Sequence, residues 1–184
     1  MLPWAEERYK AAREGTRTAF DHVKDDVDPN INCIPAGPTR IFTIAARPIE
    51  IIQTPRRVLL LFEWDHQMRR IYTDGRTMPD GYPPSYMGYS TGRWDGDTLV
   101  VETVGLNDLT WIDSLGHPHS DALRIVERFR RVNQETLEIE VTLDDPKAFT
   151  KPWRGKKVFA LMQQGWEVLE HIVCEELLEI GKHR

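Results

Sequence analysis

The sequence lacks a long apolar run, an excess of positive charge and the common nucleotide-binding motifs. No apolar segment approaches the ~20 residues that a membrane helix needs, so no membrane span is predicted. The formal net charge of −5 argues against a nucleic-acid partner, because such proteins usually carry a basic surface. No phosphate-binding loop, dinucleotide fingerprint or CxxC pair occurs. We expect a small-molecule ligand or substrate as the partner.

Cysteine is also scarce, with only Cys33 and Cys174, near opposite ends of the chain. They are either buried free thiols or one disulfide that ties an N-terminal arm to the last predicted strand. A disulfide implies an oxidising compartment. The N-terminus, MLPWAEERYK, lacks the basic and apolar regions of a signal peptide, but a mature exported chain has the same appearance. Localisation and oligomeric state stay open.

What remains is an ordinary globular composition of 184 residues, 40% hydrophobic and 29% charged. This length and composition predict one domain spanning 1–184. We divide it into a helix with an irregular arm (1–40), a β-barrel (41–176) and a tail (177–184). Residues 4–14 are rich in helix formers and predict the helix.

The body of the chain predicts about eight short strands joined mostly by hairpin-like turns. The predicted segments are 49–54, 58–72, a hairpin over 91–105 around Asp95-Gly96, 122–132, 137–143, 156–162 and 166–174. Two long loops, 74–89 and 107–120, interrupt them. Sequential antiparallel strands favour a single up-and-down, lipocalin-like β-barrel, because closure removes exposed edges. A curled β-sandwich is the alternative.

Alternation along two strands predicts ionisable side chains inside the barrel. Glu127 shares the phase of the apolar Ile125 and Phe129, with the neighbouring arginines outside. In the predicted strand 58–72 the residues that alternate on the apolar side continue to His66 and Arg70. Gln67 and Arg69 are then predicted to face away from the barrel interior. Buried charges need partners. Glu127 and Arg70 therefore form either a structural ion pair or part of a polar cluster that lines a pocket.

The stretch GHPHSD (116–121) supplies further candidates for chemistry. Histidine titrates near neutral pH, and a carboxylate can orient its ring. We predict His119 or His66 as a catalytic base and Glu127 or Asp121 as its partner. The favoured function is a cofactor-independent lyase, isomerase or hydrolase that acts on a small molecule.

Two alternatives stay open. The first is a non-catalytic lipocalin-like binding protein. The second is a divalent-metal enzyme, because histidine and carboxylate are common metal ligands; its candidate ligands are His66, His117, His119 and Glu127. In each of these cases we predict that Arg70 contacts the substrate as an anion clamp. We also predict substrate contacts for His117 and for several aromatic residues beside the loops: Trp64, Tyr86, Trp94 and Trp111.

Three runs carry a family resemblance: IIQTPRRVLLLFEWDHQMRRIYTDGR, YMGYSTGRWDGDTLVVETVGLNDLTWIDSLGHPHSDALRIVERFRRV and LEIEVTLDDPKAFTKPW. Together they resemble a family of soil-bacterial proteins of unassigned function, over roughly residues 30–176. Many members carry an export signal, so the resemblance implies a periplasmic or secreted protein and no particular activity. The Gly92-x-Trp94 pattern is also similar to lipocalins, which implies a barrel outline only.

Overall fold

The computed structural model describes residues 1–15, 28–44 and 47–171. Within these ranges the α-helix α1 (Pro3–Gly15) precedes a 3-10 turn at Arg40–Phe42, which is followed by strands. The eight strands are β1 (Ile49–Thr54), β2 (Arg57–Phe62), β3 (Met68–Tyr72), β4 (Tyr89–Asp95), β5 (Thr98–Val104), β6 (Arg124–Arg131), β7 (Thr136–Asp144) and β8 (Trp153–Ala160). Within these ranges no helix is long and apolar enough to cross a bilayer.

The mainly-β prediction is confirmed. The strands form one sheet in the order β1 to β8, curled into a half-barrel. All neighbours are antiparallel except β3 and β4, which are parallel and register over only two residue pairs. In the described part of the chain β1 and β8 do not pair with each other, so both remain edges. Among the described residues the sheet runs from residue 49 to residue 160, inside the predicted 41–176.

Local sequence explains where most strands begin and end. Gly96, with φ +61°, makes the tight turn between β4 and β5, which confirms the predicted Asp95-Gly96 hairpin. On β6 the predicted inner phase holds, since Ile125, Glu127 and Phe129 are buried while the intervening arginines are exposed. On β7 the inward residues Ile139 and Leu143 are likewise buried.

The prediction of one strand over 58–72 is wrong. The chain reverses between Phe62 and Met68, where Asp65 and His66 adopt the left-handed region with φ +53° and +49°. In the resulting hairpin Leu60 lies opposite Arg69. Because opposite residues of an antiparallel pair share a face, the inward phase passes from even to odd numbers. Arg69 is therefore buried, whereas Arg70 is exposed.

The predicted last strand, 166–174, is not a strand in its described part. Residues 161–170 have no regular structure, and His171 makes an isolated parallel bridge to Trp64 at the β2–β3 turn. Residues 172–174 and the predicted tail lie outside the described residues. Cys33 is disulfide-bonded, which excludes the free-thiol alternative for that residue, while Cys174 lies outside the described part.

Two apolar clusters fill the concave side of the sheet. The first joins Leu60, Val101 and Phe129 to the arm, whose Ile41 and Phe42 enter the half-barrel. The Phe42 ring makes edge contacts with three phenylalanines, on β2, β6 and β8: Phe62, Phe129 and Phe159, at centroid distances of 5.4, 6.3 and 5.9 Å. A ligand-carrying barrel leaves its interior open for the ligand. In this protein Ile41 and Phe42 of the arm pack into the concave side of the sheet.

The second apolar cluster closes the other end of the half-barrel. It packs Ala5 of α1 against Ile112, Ile125 and Phe149. Residues between the two clusters on the inward faces of β3 to β6 are polar, and they include Glu127.

Candidate functional site

Glu127 lies in a buried polar layer between the two apolar clusters. Its carboxylate accepts a bidentate pair of hydrogen bonds from Arg69, one at 3.0 Å and one shorter. Arg69 also donates from Nε to Ser90 Oγ at 3.1 Å and from a terminal nitrogen to Thr103 Oγ1 at 2.7 Å. The four residues come from four successive strands, and each is at most 2% exposed.

This layer corresponds to the structural ion pair that the sequence offered as one reading of Glu127, with Arg69 replacing Arg70. Both carboxylate oxygens are bonded, and the arginine that holds them neutralises the charge. A carboxylate in this state is poorly suited to accept a substrate proton. The catalytic role of Glu127 stays a prediction without geometric support.

His119 is 2% exposed and lies outside this layer. Its Nδ1 is 3.0 Å from the carbonyl of Ser120, so Nδ1 carries the proton and donates it. Its Nε2, 2.7 Å from Thr110 Oγ1, then accepts from that hydroxyl. Burial lowers the pKa of His119, and the Ser120 carbonyl only partly opposes this effect. His119 is a neutral interior residue with both nitrogens occupied.

The other residues of the GHPHSD stretch contact different partners and do not form one site. Ser120 donates its backbone N–H and its hydroxyl to the buried Asp145, at 2.6 and 2.7 Å. Asp121 points to solvent and bonds Lys147 at 2.8 Å, which lowers the pKa of the carboxyl. The contact places Asp121 beside Lys147, and its pairing with a catalytic histidine stays a prediction.

His117 forms a different pair with Asp113. Its Nδ1 lies 2.7 Å from Asp113 Oδ2, while its ring stacks on Tyr9 at 4.3 Å and meets the edge of Trp153 at 4.7 Å. The Asp113 carboxyl is half-buried, which favours its neutral form. Hydrogen bonds from His117 outweigh this burial, so the pKa of Asp113 lies below its ordinary value. The side-chain hydrogen bond of His117 to Asp113 is made by Nδ1, which leaves Nε2 as the other ring nitrogen.

The predicted substrate contacts lie apart from one another. Arg70 faces outward, Trp94 is half-exposed at the end of β4, and Tyr86 is half-buried in the loop before β4. Trp111 covers the Arg40 guanidinium at 5.1 Å, and Arg40 is held by Asp28 through two short hydrogen bonds. These contacts make Trp111 part of the attachment of the arm.

The four candidate metal ligands are not brought together. No group of three histidine, cysteine, aspartate or glutamate side chains able to hold a metal occurs in ranges 1–15, 28–44 and 47–171. His66, His117, His119 and Glu127 each have separate neighbours: Glu170, Asp113, Thr110 and Arg69.

One predicted residue, His66, borders a cavity. The side chain was expected inside the barrel, but it is half-exposed in the β2–β3 turn, with Nε2 4.0 Å from Glu170. The cavity is about 340 Å³ and lies between this turn and segment 166–171. Its lining comprises four apolar residues, Leu61, Phe62, Val168 and Leu169, and three polar ones, His66, Gln67 and Glu170.

Gln67 is the buried polar residue of this cavity, and strand phasing wrongly placed it outside. Its Oε1 accepts from the Ala36 backbone N–H at 3.3 Å, whereas its Nε2 has no partner in the described ranges. The backbone of the turn is fixed by a hydrogen bond from Gln67 N–H to the Trp64 carbonyl at 3.2 Å. The turn was not predicted because its residues Asp65-His66-Gln67 include no glycine or proline, the usual indicators of a chain reversal.

Below the cavity Glu63 is buried and anchors both walls. It accepts from Arg47 at 3.3 Å and from the Leu169 backbone N–H at 3.1 Å. Segment 166–171 is further held by the hydrogen bond from Asp65 N–H to the His171 carbonyl, at 3.0 Å. The cavity is therefore a cleft open to solvent, whose two sides are joined by hydrogen bonds.

Comparison with known proteins yields no assignment: no family model, no curated protein and no solved structure matches this chain.

Proposed function

We propose that this protein binds a small molecule without transforming it, and that the ligand occupies the cavity between the β2–β3 turn and segment 166–171. The observation that carries the proposal is Gln67, a buried amide that lines the cavity and keeps an unpartnered donor. Buried polar groups are nearly always hydrogen-bonded. A ligand that enters the cavity can accept from this amide and cover the apolar wall.

The volume and composition of the cavity support the same function. A volume of about 340 Å³ is at the lower end of the range for small-molecule sites, which are mostly apolar with a few placed polar groups. Four of the seven lining residues are apolar, and Gln67 is the most buried of the polar ones.

The test is a fragment screen by ¹H–¹⁵N NMR on the whole chain. We expect shifts concentrated at Gln67, Val168 and Leu169, and their loss in Val168→Trp, whose indole fills the cavity. Val158→Trp on the exposed edge strand β8 is the matched control and should bind normally. Shifts that persist in Val168→Trp contradict the proposed site.

A second candidate function, acid–base catalysis, is favoured by the His117–Asp113 pair. A carboxylate that orients a histidine through Nδ1 is the arrangement of a general base. The test is hydrolysis of p-nitrophenyl acetate. If this function holds, His117→Ala reduces the rate at least about ten-fold, while the exposed His66→Ala, a control for ordinary surface imidazole, changes it little. Equal small losses in both variants exclude it.

A further inference from the structure

Three unpartnered buried donors gather where segment 166–171 meets the β2–β3 turn. Five buried polar side-chain atoms lack a hydrogen-bond partner among the described residues, and three of them are Trp64 Nε1, Gln67 Nε2 and His171 Nδ1. Trp64 and Gln67 belong to the same turn, and the His171 ring lies 5.5 Å from the Trp64 ring. The Trp64 and His171 rings are therefore neighbours, and Gln67 belongs to the same turn as Trp64.

The tautomer of His171 follows from its other nitrogen. His171 Nε2 is 3.0 Å from an Arg47 nitrogen. Since arginine only donates, Nε2 accepts, and the proton of the neutral ring must be on Nδ1. The indole and the amide nitrogens can only donate as well. All three unpartnered atoms are donors, so the site is short of acceptors.

The charges near the cavity decide which kind of acceptor fits. Glu63 and Glu170 are acidic, and Arg47, the cation that bonds Glu63 within the described ranges, also bonds His171. A ligand anion would face the Glu170 carboxylate at the rim, which is 78% exposed and lies 4.0 Å from His66 Nε2. Neutral acceptor oxygens satisfy the donors without this repulsion.

We infer that the ligand is an uncharged molecule that carries an acceptor oxygen on an apolar frame, such as a lactone, an ester or an aryl ether. This inference rests on the proposed binding function and specifies its ligand class. The apolar frame lies against Val168 and Leu169, and the oxygen accepts from Gln67, the unpartnered donor whose residue lines the cavity.

The experiment compares three probes of similar shape: naphthalene, which has no acceptor, coumarin, an uncharged lactone, and coumarin-3-carboxylate, its anion. Binding is followed by ¹H–¹⁵N NMR of the full chain, including the side-chain signals of Gln67 and the Trp64 indole. We expect coumarin to bind at least about ten-fold more tightly than either other probe, the change that one hydrogen bond supplies. The Gln67 or the Trp64 side-chain signal should move on binding.

Two variants separate the donors from the fold. Gln67→Leu should weaken coumarin by about ten-fold and leave naphthalene unchanged. Because that change also removes the acceptor for Ala36 N–H, Trp64→Phe serves as the milder second variant, removing one N–H and keeping an aromatic ring. Trp94→Phe, on the half-exposed end of β4, is the matched control.

The outcomes distinguish the ligand class from the function. If naphthalene or coumarin-3-carboxylate occupies the cavity as tightly as coumarin does, the inferred class is overturned while the binding function stands. If coumarin binds but neither side-chain signal moves, the class is also overturned. If all three probes leave the cavity residues unshifted, the binding function fails together with the inference.

Discussion

At the scale of single residues, Arg69 and Glu127 are charges that the fold tolerates only together. Removing one partner of a buried pair leaves the other uncompensated, at a cost of about 3–5 kcal/mol. We therefore expect Glu127→Ala to lower the free energy of unfolding by that amount in urea titrations. The double change Arg69→Met with Glu127→Leu should recover most of the loss, because hydrophobic residues of similar volume often replace a buried pair without penalty.

Glu102→Ala is the matched control for this prediction. Glu102 pairs with Arg124 on the same sheet, but both side chains are nearly half exposed, so the change should cost about 0–1 kcal/mol. Equal losses for Glu127→Ala and Glu102→Ala would show that the buried layer is not strongly coupled.

His119 predicts a dependence of stability on pH. Because burial lowers its pKa in the folded state, the unfolded chain binds the proton first as the pH falls below about 6.5. Stability is therefore complete above pH 6.5 and decreases below it, until the folded-state pKa is reached. Between pH 7.5 and 5.5 we expect the wild type to lose about 1 kcal/mol more than His119→Gln, measured by urea unfolding at each pH. Parallel curves would contradict this role.

At the scale of elements, the turn between β2 and β3 marks the limit of what the sequence predicts. Alternation along β6 correctly placed Glu127 inside, because an uninterrupted strand keeps its phase. Alternation through 58–72 failed because five residues form a reversal, and two of them take left-handed dihedrals without glycine. The same error predicted Arg70 instead of Arg69 as the buried arginine, and it placed the buried Gln67 on the outer face. The His117–Asp113 contact lies within a loop, where no periodicity guides the choice of partner.

A substitution at Gly88, the residue directly before β4, tests how tightly the end of the long loop packs against the sheet. Its φ is +62°, and an added Cβ would come within 2.7 Å of the Val104 carbonyl oxygen. Gly75, with φ +81° and open space around it, is the matched control that isolates backbone strain. We expect Gly75→Ala to cost about 1 kcal/mol and Gly88→Ala clearly more, by thermal or urea unfolding. Similar costs would show that the Val104 contact relaxes easily.

At the scale of the whole molecule, the arm supplies the layer that completes the half-barrel. Phe42 is its central contact, touching rings on β2, β6 and β8. We expect Phe42→Ala to lower the free energy of unfolding by about 2–4 kcal/mol, since a large cavity opens on the concave face. The half-exposed Leu109→Ala is the control and should cost less than about 1 kcal/mol. A small effect at Phe42 would mean that the sheet is stable without the arm.

The ligand site also depends on this global arrangement. Its walls come from two distant parts of the chain, residues 61–67 and 168–170, and the Ala36 N–H from the arm orients the Gln67 amide. Binding should therefore stabilise the arm, the turn and segment 166–171 together, which hydrogen exchange with and without coumarin can measure.

The parallel seam between β3 and β4 divides the chain into two meanders, β1–β3 and β4–β8. Backbone pairing across the seam is limited to two residue pairs, and the Arg69 side chain bridges it to Ser90, Thr103 and Glu127. The exposed loop over 75–84 is the covalent link between the meanders. A chain cut within this loop should therefore give two complementary fragments that reassemble through the shared apolar cluster and the Arg69 hydrogen bonds, and Arg69→Met should weaken reassembly more than it destabilises the uncut protein.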